Sequence, residues 1–97
     1  MEEENDIQLI KNLIKNYRYN FNYTNIILRG KIISKDEKLV WKDFLLYFKQ
    51  GYSHSILNIS TRKISIILRK LLNIDQEFHV QSGIKLSFEE WIILHKI

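Results

Sequence analysis

Three times in this sequence apolar side chains recur at i, i+3, i+4 and i+7. The sets are Ile10, Leu13, Ile14 and Tyr17; Trp41, Phe44, Leu45 and Phe48; and Ile64, Ile67, Leu68 and Leu71. That spacing marks one buried face of an α-helix. Helices with a single apolar stripe must hide it against one another or against a small sheet. A chain of 97 residues builds one modest core, so residues 1–97 read as a single domain. With 45% hydrophobic and 27% charged residues, the chain has the makeup of a folded protein rather than a disordered one.

The segments around the stripes set the expected boundaries. The first helix is expected from about Asp6 to Tyr19, capped by Asn5 or Asp6, with acidic residues at the positive end of its dipole. Tyr17 to Tyr23 is aromatic at alternate positions, which is a strand-like period or a helix exit. Ile26-Ile27-Leu28 and Ile32-Ile33 flank Gly30 and read as one or two short strands. The second helix is expected from about Lys35 to Gln50, opened by a capping box at Ser34 and Glu37 and closed by Gly51 as its C′ residue. Tyr52 to Ile59 is a connector with room for a short helical turn. The third helix runs from Ser60 or Thr61 to Leu72. Glu77 to Gln81 and Ile84 to Phe88 then alternate on either side of Ser82-Gly83, the pattern of a β-hairpin. Ser87 and Glu90 form a second capping box before a short last helix with Trp91 and Leu94. The expected fold class is α+β: three helices, a small antiparallel sheet and a C-terminal β-hairpin.

Composition narrows the chemistry. There is no cysteine, which excludes disulfides, thiol catalysis and thiolate metal sites. His54, His79 and His95 lie far apart without helical ligand spacing, so no metal and no cofactor are expected. Nothing resembles a phosphate-binding glycine loop, a nucleophile elbow or a catalytic carboxylate pair, and no enzymatic activity is expected. The start, Met1-Glu2-Glu3-Glu4-Asn5-Asp6, is the opposite of a basic signal-peptide region, and the apolar runs are too short to span a bilayer. An intracellular protein, cytoplasmic or nuclear, without membrane contact is therefore expected, and the glycosylation patterns at Asn22 and Asn58 are discounted. Abundant Ile, Lys and Asn fit an A·T-rich genome such as those of many viruses and plasmids.

The net charge of +4 is unevenly spread. Four acidic residues fall within the first ten, leaving 15 basic against 7 acidic side chains in the remainder. Such a body attracts polyanions. On a helical wheel the third helix gathers Ile64, Ile67, Leu68 and Leu71 on one side. Opposite them lie Arg62, Ile66 and Arg69, with Ser65 beside them and Lys63 and Lys70 flanking. Arginine can read guanine edges or grip phosphate, and lysine mainly contacts phosphate. Ile66 needs an apolar counterpart: a thymine methyl or another protein surface. The plain alternative is a solvated helix face, since Arg and Lys are good helix formers. Tyr17 to Tyr23, interleaved with Arg18, has a pattern that can stack bases or fill a core.

The order helix, strand, helix, helix, hairpin resembles a winged-helix module over residues 34–97, preceded by a helix and short strand region at 1–33. Trp41-Lys42-Asp43-Phe44-Leu45 looks like its supporting helix, Ser60-Thr61-Arg62-Lys63-Ile64-Ser65 like the start of its recognition helix, and Val80 to Leu86 like its wing. The pattern is similar to C-terminal extensions of viral and plasmid primase-helicases. The resemblance implies a nucleic-acid-binding domain of a replication or transcription protein, with DNA expected rather than RNA. It also implies a phosphate contact from Lys85 on the wing, although a charge on the wet face of a hairpin needs no ligand. The alternative is an interaction module in which Ile66 contacts a protein partner, or a homodimer formed through exposed apolar residues.

Overall fold

The computed structural model describes residues 2–74 and 83–94. Its helices are α1 (Glu2–Lys15), α2 (Tyr17–Asn20), α3 (Trp41–Gly51), α4 (Ser53–Ile56) and α5 (Thr61–Leu71). Two short strands, β1 (Ile27–Leu28) and β2 (Lys31–Ile32), pair antiparallel, and a π-helical turn spans Glu90–Leu94. The α+β class is thus observed. The three long helices are those expected from the apolar stripes, and α5 packs against both α1 and α3. Their inner faces close one core that includes Ile10, Leu13, Phe44, Phe48, Ile64 and Leu68. No helix among the described residues is long and apolar enough to cross a membrane.

Several boundaries differ from expectation, each for a local reason. Helix α1 starts at Glu2, so Asn5 and Asp6 lie within it instead of capping it. Glutamate is a good helix former and suits the positive end of the dipole. The helix breaks at Asn16, whose backbone N–H and side-chain amide both donate to the Asn12 carbonyl (3.0 and 3.1 Å). The alternating aromatics that follow are a helix exit, with Tyr17 and Phe21 buried. Burial pushes the phenol of the partly covered Tyr23 up to about 12.

Gly30 joins β1 to β2 in a two-residue turn, with Arg29 at φ 53° and Gly30 at φ 78°. Positive φ at both positions gives a connection whose twist matches the flanking strands. The outer edge of β1 is covered by one side chain. Gln50 accepts a hydrogen bond from the Ile27 N–H through Oε1 (2.9 Å) and donates to the Ile27 carbonyl through Nε2 (2.7 Å).

The second helix begins at Trp41, not Lys35. Ser34 and Glu37 close a turn, with the Glu37 N–H donating to the Ser34 carbonyl at 3.2 Å, rather than a capping box. Downstream, Leu39 is held in an antiparallel bridge to Leu86 (2.8 and 2.9 Å), so the chain stays extended until Val40. Gly51 is the last residue of α3 and has no positive φ. Its lack of a side chain serves packing instead: a Cβ there would lie 2.1 Å from Cε2 of Phe21. Helix α5 ends in a Schellman arrangement, with Asn73 at φ 53° and the Ile74 N–H donating to the Arg69 carbonyl at 3.1 Å.

The first arm of the expected C-terminal hairpin, Glu77 to Gln81, lies outside the described residues, as does Ser82. In the second arm Leu86 pairs with Leu39 across the domain, the one pairing of that arm among the described residues, and Phe88 already belongs to the last helical turn. The capping box there does form: Glu90 Oε1 accepts from the Ser87 N–H (3.0 Å) and Ser87 Oγ from the Glu90 N–H (3.3 Å). Trp91 Nε1 donates to the Leu39 carbonyl at 2.9 Å, fastening this helical turn to the bridge.

Two predictions follow from this packing. Gly51→Ala should lower stability by about 1–3 kcal/mol through overpacking against Phe21, and adding Phe21→Leu should recover part of the loss in thermal unfolding. A neutral G51A would show that the ring has room to move. The second concerns acid. Lys38 Nζ, followed by Ser87, holds the Glu90 carboxyl down from 4.5 to about 2. A depressed acid stabilises the fold above its ordinary pKa and loses that effect as pH falls through the folded value. Unfolding temperature should therefore drop between about pH 4.5 and pH 2, and the drop should shrink in Glu90→Gln.

Candidate functional site

The outward face of α5 meets α3 along an open groove of about 500 Å³. Helix α5 contributes Thr61, Arg62, Ser65, Ile66 and Arg69, and α3 contributes Lys42, Leu45 and Leu46. Three cations line it, and no acid does among the described residues. Five of the described acids pair elsewhere: Asp6 with Lys63, Asp43 with Arg29, Glu37 with Lys31, Glu89 with Arg18 and Glu90 with Lys38. Lys42, Arg62, Arg69 and Lys70 have no carboxylate partner among the described residues.

Trp41 shapes the wall. Its indole Nε1 donates to Ser65 Oγ at 3.2 Å, and the Arg69 guanidinium lies 5.6 Å from its ring centroid. Stacking a guanidinium on an indole is favourable, but it leaves one donor unmet. Arg69 Nε is buried without a hydrogen-bond partner. An orphaned buried donor costs about 1–3 kcal/mol, more when charged. Across from it, Leu46 and Ile66 are 42% and 46% exposed, an apolar pair between the cations.

The residues singled out from the sequence fall into three places. Arg62, Ile66 and Arg69 do share the groove, and Lys70 is exposed on the same helix. Ser65 was expected to lie beside them facing outward, but it is only 9% exposed and its hydroxyl serves Trp41. Lys63 turns to the other side, where its Nζ pairs with Asp6 of α1 at 2.7 Å and lines a cleft with Asn58 and Ser60. Ser60 caps α5, accepting from the Lys63 N–H at 3.2 Å. Lys85 is exposed in a separate groove between the β1–β2 hairpin and the start of α3, near Arg29 and Lys38. Sequence reasoning missed Lys42 and Leu46. They sit four residues apart on α3, just off its buried stripe, and a wheel drawn for that helix beside α5 would have found them.

The aromatic run around Arg18 is mostly interior. Tyr17 is buried and donates to Glu89, which also pairs with Arg18 at 3.2 Å, while Tyr19 stays 89% exposed. Among the described residues no group of His, Asp or Glu is placed to hold a metal ion. No family model matches the chain, no curated protein is similar to it and no solved structure matches its fold.

Ser65→Ala should leave the Trp41 N–H unpaired in the core and lower stability by about 1–3 kcal/mol. Chemical denaturation measures this. A substitution without effect would mean that the indole finds another acceptor.

Proposed function

We propose that this chain is a nucleic-acid-binding domain of winged-helix type, with α5 as the helix that enters a groove of DNA. It would serve a replication or transcription protein of a virus or plasmid. The observation that carries this reading is the α3–α5 groove, lined by three cations and by no acid among the described residues. Phosphate oxygens supply the counter-charge that these cations lack.

The arrangement of the helices supports it. Residues 52–59, which had to be compact for α3 and α5 to pack as a helix-turn-helix, contain the helical turn α4, and α5 is braced by α1 on its other side. The Leu39–Leu86 bridge joins the segment before α3 to the chain returning after α5, the connection that a wing needs. A second reading, docking of a protein, rests on the exposed Leu46 and Ile66.

Fluorescence anisotropy with a labelled DNA duplex tests the first reading. Affinity should fall steeply between 50 and 200 mM salt, values typical for such titrations. Arg62→Ala and Arg69→Ala should each weaken binding and reduce the salt slope by about 1. Absence of binding at low salt, or indifference to both substitutions, would sink it. Retained affinity for a protein ligand in the double variant would favour docking.

A further inference from the structure

Resting on that reading, the structure of the groove allows a finer assignment: we propose that Ile66 is a base-reading residue that contacts thymine methyl groups in the major groove of duplex DNA. Ile66 lies in the middle of α5, with Arg62 four residues before it and Arg69 three residues after, all three lining the same groove. Residues at these spacings are neighbours on a helix surface. A side chain 46% exposed between two arginines gains nothing from water. Isoleucine is also a poorer helix former than arginine or lysine, so the position is not explained by the stability of α5.

The ligand that meets this pattern must combine anionic oxygens on the outside with an apolar group at the centre. In duplex DNA the exposed methyl on a base edge is that of thymine, and it lies in the major groove, which is wide enough to admit a helix. Helix α5, with 11 residues, is about 16 Å long, and Arg62, Arg69 and Lys42 surround Ile66 where phosphates would flank a reading helix. A-form RNA fits poorly, because its deep, narrow major groove excludes side chains. A protein partner fits less well on area. Leu46 and Ile66 are two half-exposed side chains, whereas a stable interface covers about 800 Å² on each partner.

The test removes the methyl and nothing else. The full chain is titrated by anisotropy against an alternating d(AT) duplex and the same duplex with deoxyuridine in place of thymidine, at one salt concentration. The wild type is expected to prefer the thymine duplex by about fourfold, the value of burying one methyl. Ile66→Ala should bind both duplexes equally with an unchanged salt slope. Because the side chain is half exposed, this variant should fold, which its unfolding temperature verifies. Arg62→Ala should weaken both duplexes alike and keep the preference. Equal wild-type affinity for the two duplexes, with salt-dependent binding intact, overturns the role of Ile66 and leaves the nucleic-acid reading standing. No binding of either duplex at low salt overturns both. If Ile66→Asp then abolishes self-association seen by light scattering, the residue belongs to a dimer contact instead.

Discussion

Trp41 is the side chain on which the arrangement of the domain depends. It starts α3, stacks on Phe44 at 5.3 Å and meets Trp91 edge-on at 5.3 Å. Its N–H reaches Ser65 of α5, and its ring carries the Arg69 guanidinium. One indole therefore sets the distance between α3 and α5, anchors the last described helical turn and positions the Arg69 guanidinium. Trp91 reinforces this from the other direction by donating to Leu39, whose backbone pairs with Leu86. The extended segment that delays the start of α3 is thus the same one that brings the two tryptophans together.

Electrostatics divides the surface. The described ion pairs fasten α1 to α5, the β1–β2 hairpin to α3, and the last turn to the rest. Exposed pairs of this kind contribute at most about 1 kcal/mol each, so their main effect is on where charge is left over. They neutralise Arg18, Arg29, Lys38 and Lys63 and leave the cations of the α3–α5 groove unopposed. Lys42, Arg62 and Arg69 of that groove are three of the 15 lysines and arginines, and others such as Lys11, Lys15 and Lys49 lie elsewhere on the surface without a described ion pair.

The three main helices were legible because a stripe at helical spacing leaves few alternatives, and Gly30 was legible as a turn because its neighbours are strand-like. What was not legible depended on contacts distant in sequence. Ser34 and Glu37 carry a helix-start signal, but pairing of Leu39 with a residue 47 positions away keeps the chain extended. Gly51 has the sequence context of a cap, yet it is glycine because Phe21 lies against it. Ser65 was misjudged because a wheel drawn for one neighbour gives a narrow buried arc. Helix α5 is packed by α1 on one flank and α3 on the other. The buried arc widens, covers Ser65, and takes Lys63 to the α1 side. The same widening leaves Arg62, Ile66, Arg69 and Lys70 as the remaining outward set, close to what the wheel alone implied.

That remaining set is costly for a free domain. Arg69 holds a buried N–H without an acceptor, and Leu46 and Ile66 expose apolar surface beside it. A small fold has little stability to give up. A glutamate at position 66 would face Arg62 and Lys70 at i−4 and i+4 and would favour the helix. The chain instead places an isoleucine among cations that have no carboxylate partner among the described residues, where α3 and α5 open a groove. If the α3–α5 groove takes nucleic acid as proposed, phosphates would supply the missing counter-charge and a thymine methyl the apolar contact that Ile66 lacks, so the features that weaken the isolated domain would be those its ligand satisfies.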